Sequence, residues 1–151
     1  RDLPLLNKGN PLFIAAVALL GNVDTLTELR ALLSTPLVIE PTADGLTRYA
    51  FIRLQGGIGA HLDGDGRLRR LAISGSGARD LRQRLGAVDE VAALLTPEGV
   101  EALTIRYNAP SGVLDDGSGG QRHSYRFGEL DIHFDFRRLR PRWDTLIIER
   151  P

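Results

Sequence analysis

The chain contains no cysteine and no methionine. Without cysteine there is no disulfide, no thiolate metal site and no cysteine nucleophile. The absence leaves the compartment open, since cysteine-free proteins occur on both sides of a membrane. Lysine is nearly missing as well: Lys8 stands alone, and every other basic side chain is arginine. Codon usage in a GC-rich genome accounts for that bias as readily as any function. Charge of one sign is not in excess either. Nineteen basic residues balance nineteen acidic ones, so no basic field advertises a nucleic-acid partner.

Long hydrophobic runs are lacking too. The longest, "PLFIAAVALLG" (11–21), is too short to span a bilayer. It has the length of a signal-peptide core, but it follows polar "NKGN" and runs into a helix-cap sequence, and no cysteine follows "ALLG" as a lipoprotein signal requires. It reads as a buried helix. Residue 1 is Arg1 rather than methionine, and the expectation is a processed or truncated chain. Several catalytic signatures are missing: no Gly-x-Ser-x-Gly, no His-Glu-x-x-His and no glycine-rich strand-to-helix fingerprint.

What is present is ordinary globular composition, 42% hydrophobic and 25% charged, which suits one domain over 1–151. Asn10-Pro11 opens a first helix that Gly21 closes. Asn22 caps a second, with Val23, Leu26, Leu29 and Leu33 on one face and Pro36 as its stop. Residues 37–40 are a short strand or extended connector. Strand-like segments follow at 46–55, 58–63 and 67–74. Residues 78–85 read as a helix ended by Gly86. Thr96-Pro97-Glu98 starts another, but "VEALTIRYN" is expected to finish as a strand. Residues 109–122, rich in Gly, Ser and Asp, read as a long mobile loop.

The pattern repeats. "LGNVDTLTEL" (20–29) matches "LGAVDEVAAL" (85–94), Tyr49-x-Phe51 matches Tyr125-x-Phe127, His61-Leu62-Asp63 matches His133-Phe134-Asp135, and "RLAI" matches "TLII". Two repeats, 10–74 and 76–150, are therefore expected.

"DGDG" (63–66) has the residues of a calcium loop, but the twelfth position from Asp63 is Ser74, not a bidentate glutamate, and no helices flank it. It reads as a hairpin bend, because Asp and Gly tolerate hairpin dihedrals. Asp115 and Asp116 form a second acidic pair, in a segment that reads as solvated loop. No metal and no cofactor is expected. In a strand, residues i and i+2 share a face. Leu130, Ile132, Phe134 and Phe136 therefore point one way and Asp131, His133 and Asp135 the other. The apolar set must meet the helices, leaving His133 and Asp135, and by the repeat His61 and Asp63, on the uncovered side. "RRLRPRW" (137–143) reads as a hairpin tip presenting Arg137, Arg138, Arg140 and Trp143. Such residues dominate interface energetics. The opposing reading is that Trp143 caps the core edge while the arginines stay in water.

"VDTLTELRALLSTP" (23–36), "TRYAF" (47–51) and "AHLDGDGRLRRLAI" (60–73) resemble the β-lactamase-inhibitor-protein type of fold. In that fold, helix pairs and antiparallel meanders alternate in tandem. Its single-unit relatives include outer-membrane assembly lipoproteins of the SmpA/OmlA type. The resemblance implies an α+β protein: tandem helix-pair plus antiparallel β-meander units forming one curved sheet with helices on one face. It also implies a bacterial, non-enzymatic inhibitor or immunity protein occluding the cleft of an enzyme or toxin, in the periplasm or cell envelope, with the cytoplasm as the other option. Arg137, Arg138, Arg140, Trp143, His61, Asp63, His133 and Asp135 would contact that protein partner. One alternative is a structural accessory subunit of a cell-envelope or secretion assembly. Another is a small cone-shaped enzyme or ligand-binding domain using His133 and Asp135 inside a pocket.

Overall fold

The computed structural model describes residues 12, 16, 20, 37–40, 50–54, 57–62, 67–85 and 89–150. The second helix, the bend at 63–66 and Asp63 lie outside the described residues. The elements run β1 (Leu37–Glu40), β2 (Ala50–Leu54), β3 (Ile58–Leu62), β4 (Leu68–Ser74), α1 (Gly75–Leu85), α2 (Asp89–Leu94), α3 (Val100–Tyr107), β5 (Gly112–Asp115), β6 (Gln121–Phe127), β7 (Leu130–Phe136) and β8 (Thr145–Glu149). The fold is α+β, built on one eight-stranded sheet of order β1-β2-β3-β4-β8-β7-β6-β5 with every pairing antiparallel. Among the described residues, no helix is long and apolar enough to cross a membrane.

Strand alternation sorts the side chains as expected. Leu130, Ile132, Phe134 and Phe136 on β7, Leu146 and Ile148 on β8, Leu71 and Ile73 on β4, and Ile58 and Ala60 on β3 are all buried in one core. The registers Ile132↔Ile148, Phe134↔Leu146, Ile73↔Leu146 and Ile58↔Ile73 put them on one face. Helical residues close over that face. Leu12, Ala16 and Leu20, four apart, are fully buried with it. Tyr107 of α3 stacks on Phe134 at 6.2 Å between ring centroids and meets Tyr125 edge-on.

Three expectations need correcting. "VEALTIRYN" does not finish as a strand: Val100–Tyr107 is helical throughout, because Leu103 and Tyr107, one turn apart, are the buried pair. Thr104, β-branched and so a weak helix former, returns its hydroxyl to the Val100 carbonyl at 2.9 Å. Residues 109–122 are not one long loop: β5 lies within them, paired with β6 through Gly112↔Ser124 to Asp115↔Gln121. The remaining turn is tied by Asp116 Oδ1, which accepts hydrogen bonds from Ser118 N, Ser118 Oγ and Gly120 N. Those bonds, the Ser118 hydroxyl first, lower the Asp116 pKa. Helix α1 begins at Gly75, three residues before the expected start at 78, because the Ser74 hydroxyl accepts from Gly77 N and caps the first turn.

The strand order reads alike from either edge towards the centre, where β4 meets β8. Their register pairs Ala72 with Ile147, Leu71 with Ile148 and Ile73 with Leu146. A two-fold relation between "RLAI" and "TLII" requires this pattern. The histidine match does not hold the same register. His133 lies opposite Ile147, whereas the residue opposite Ala72 is Gly59, so His61 corresponds to Asp135.

Candidate functional site

Away from the helices, the sheet carries a ribbon of cross-strand polar pairs. On β6 and β7, Arg122 lies directly opposite Asp135 and Arg126 opposite Asp131. Both pairs close into ion pairs. Arg122 Nε and a terminal nitrogen donate to the two oxygens of Asp135 at 2.7 and 3.0 Å, and Arg126 Nε donates to Asp131 Oδ1 at 2.9 Å. On the central pair, Arg70 of β4 lies opposite Glu149 of β8 and donates to Oε2 at 2.7 Å. Such geometry follows from period two: residues directly opposite hold their Cβ atoms within about 5 Å, so charges of opposite sign meet.

His133 sits at the middle of the ribbon. Its Nε2 lies 2.8 Å from Glu149 Oε1 and its Nδ1 lies 2.7 Å from Ser124 Oγ. Nε2 donates to the carboxylate, which can only accept, and Nδ1 shares the second bond with the serine hydroxyl, which can donate or accept. The His133 hydrogen bond, and after it Arg70, hold the Glu149 carboxyl at about 2, against the opposing effect of burial. His61, opposite Arg70, completes the ribbon on β3. Burial, then the Arg70 charge, pushes its pKa down. The polar chain thus crosses β6, β7, β8, β4 and β3.

The parity argument therefore placed both histidines on the correct face, but His133 is not bare. It is 8% exposed and Ser124 3%, while the arginines stay half in water, with Arg70 at 43% and Arg122 at 37%. The partner-contact set changes accordingly. Asp135 is engaged by Arg122, and His133 is roofed by its neighbours. Trp143 is 2% exposed and stands 6.0 Å from Phe134, so it is core wall and no exposed anchor. Residues 137–144 are not a projecting tip, because Trp143 N donates to the Glu98 carbonyl and docks the connection against the segment between α2 and α3. Arg137, Arg138 and Arg140 are exposed, and Arg137 pairs with Asp144.

Sequence reasoning missed Arg70, Arg122, Arg126, Ser124 and Glu149, and placed Asp131 on this face without giving it a role. A signal was there. Gly128, at φ 56°, and Glu129 join β6 to β7 in a tight turn, and in each arginine–aspartate pair the two residues stand equally far from it along the chain.

Hydroxyl, imidazole and carboxylate in a row have the elements of a proton relay. As a nucleophile, Ser124 would need an accessible oxygen and nearby amide donors. It is buried, and its strand is paired on both sides. Asp131, His133 and Glu149 bring ligand atoms within 4.8 Å of one another. A cation there would displace existing bonds and face Arg70 and Arg126, so the donor set fits a metal poorly.

Two cavities flank the 137–144 connection. One, of about 450 Å³, lies by Leu114, Arg122, Asp135 and Phe136; the other, of about 440 Å³, lies by Ser74, Ser76, Arg140, Arg142 and Trp143. Arg137 and Asp144 line both.

No protein-family model matches the chain, and no curated protein matches it. Among solved structures it is similar to a DUF4309 family protein, YjgB, from Bacillus subtilis subsp. subtilis str. 168, with 16% identity over 84% of this chain and 78% of that chain at a TM-score of 0.48.

Proposed function

We propose that this protein is a non-enzymatic binding module that engages another protein through the face of its sheet opposite the described helices. The carrying observation is the ribbon itself. Its arginines are partly exposed, at 29–43%, yet already fixed by direct cross-strand partners. Immobilising a free arginine on binding costs about 0.5–1.5 kcal/mol, and a pre-paired one loses less. Fixed alternating charge favours specific partners and rejects mismatched ones. The resemblance to inhibitor folds supports the finer reading of an inhibitor or immunity protein in the bacterial cell envelope. Arg70, Arg122, Arg126 and Asp131 replace Trp143 and His133 as the proposed contacts.

The enzyme alternative draws less support. It needs His133 and Asp135 together in an enclosed pocket; Asp135 lines a cavity, His133 does not line it, and Asp135 is spent on Arg122. The test is capture of partners from the source cells on the full chain and on its Arg122→Ala/Arg126→Ala variant. A stoichiometric protein retained by the first and released by the second supports the reading. Equal retention on both refutes it.

A further inference from the structure

The second cavity lies outside the ribbon and carries its own chemistry. It opens where helix α1 begins, an eleven-residue helix with no acidic side chain in its first turn. The positive end of that helix dipole is therefore not offset by a carboxylate of its own. Ser74 and Ser76 present hydroxyls there, 3.0 Å apart. Arg137, Arg140 and Arg142 line the same cavity. Asp144 neutralises Arg137, with Nε to Oδ2 at 2.7 Å. No ion pair joins Arg140 or Arg142 to a described carboxylate. Two uncompensated guanidinium groups, a helix start and two hydroxyls thus share a space of about 440 Å³.

Trp143 also lines the cavity. It is 2% exposed, and its buried indole Nε1–H has no hydrogen-bond partner among the described residues. A buried N–H left unpaired is costly, and such groups ordinarily find an acceptor. Arg140 and Arg142 on this wall offer donors that suit oxygen acceptors, and the net charge facing the space is positive.

We propose that this cavity binds a tetrahedral oxyanion, a phosphate or sulfate group, with Arg140 and Arg142 as its charge partners beside the positive end of α1. Guanidinium groups suit such oxygens because their planar forks donate in parallel. The group size fits as well: the cavity admits the oxyanion together with part of whatever carries it. This site stands apart from the sheet-face reading, and either can fail alone.

The sequence supplies its own reporter, since Trp143 is its single tryptophan. The experiment titrates the full chain with inorganic phosphate, with sulfate and with a phosphoserine peptide, following indole fluorescence, with chloride at matched ionic strength as control. The proposal expects a saturable change with the oxyanions and none with chloride. Arg140→Ala/Arg142→Ala should weaken it roughly tenfold per arginine removed, with an unchanged circular dichroism spectrum because both side chains are exposed. Saturation by the free ions identifies a free oxyanion as sufficient, and tighter binding of the peptide identifies a group carried on protein; both support the site. No saturable response to any of the three, or the same response in the double variant, overturns it.

Discussion

His133 Nε2 lies 2.8 Å from Glu149 Oε1, a bond that joins β7 to β8 on the face opposite the described helices. Glu149 in turn holds Arg70 of β4 at 2.7 Å, so one carboxylate ties the two four-stranded halves of the sheet together. The ribbon is both the seam of the fold and the proposed contact surface.

Acid should open this seam. The folded pKa of Glu149, about 2, lies below its ordinary value of 4.5. Its contribution is therefore present above pH 4.5 and is lost as pH falls towards 2. On the order of 2 kcal/mol should disappear across that window, once solvent screening is allowed for. Urea unfolding at a series of pH values measures it, and Glu149→Gln should flatten this limb. A limb equally steep in the variant would show that other carboxylates carry it.

Ser124 and His133 should prove coupled. His133→Ala strands the serine hydroxyl and one carboxylate oxygen, at a cost of roughly 2 kcal/mol. A double-mutant cycle with Ser124→Ala should return about 1 kcal/mol of coupling. Additive losses would mean that the 2.7 Å contact contributes nothing beyond packing.

Tyr107 behaves differently. Its ring is stacked on Phe134, but its hydroxyl is buried with no hydrogen-bond partner among the described residues. Tyr107→Phe keeps the ring and removes the orphan. Thermal unfolding should show a change between zero and a gain of about 1 kcal/mol. A clear loss of stability would reveal a partner for the hydroxyl.

Leu139 sits at φ 66° and is 93% exposed. A leucine in the left-handed region is strained by roughly 1 kcal/mol, and asparagine tolerates that conformation better. Leu139→Asn should therefore raise stability by about 0.5–1 kcal/mol, read from the urea midpoint. An unchanged or lower midpoint would contradict the strain.

Gly99 leaves room for the 137–144 connection: a Cβ there would stand 2.8 Å from the Pro141 carbonyl. Gly99→Ala should cost about 1–3 kcal/mol and shift the Trp143 fluorescence, since Trp143 N is bonded next door to Glu98. Wild-type stability and emission would mean that the connection yields freely.

Much of this was legible in the chain. Alternation in "LDIHFDF" gave the covered face and the open one, because a sheet packed on one side leaves its polar parity outward. The first helix was legible where it is described, through Leu12, Ala16 and Leu20. The Val100–Tyr107 helix was not, because local propensity at Thr104 and Ile105 opposes it and the contact of Tyr107 with Phe134 decides. Burial of His133 also could not be read, since it depends on Ser124 and Glu149 from neighbouring strands. The inward-reading strand order and the Ala72–Ile147 pairing are what a duplication would leave, and we propose that origin for the two halves.

The most direct measurement is the dissociation constant of a captured partner for the native chain and for Arg122→Ala/Arg126→Ala, with melting curves showing both folded. Removing two pre-paired arginines from a binding face should weaken the complex about a hundredfold. An unchanged constant would place the partner elsewhere on the molecule and contradict the role given to the open face.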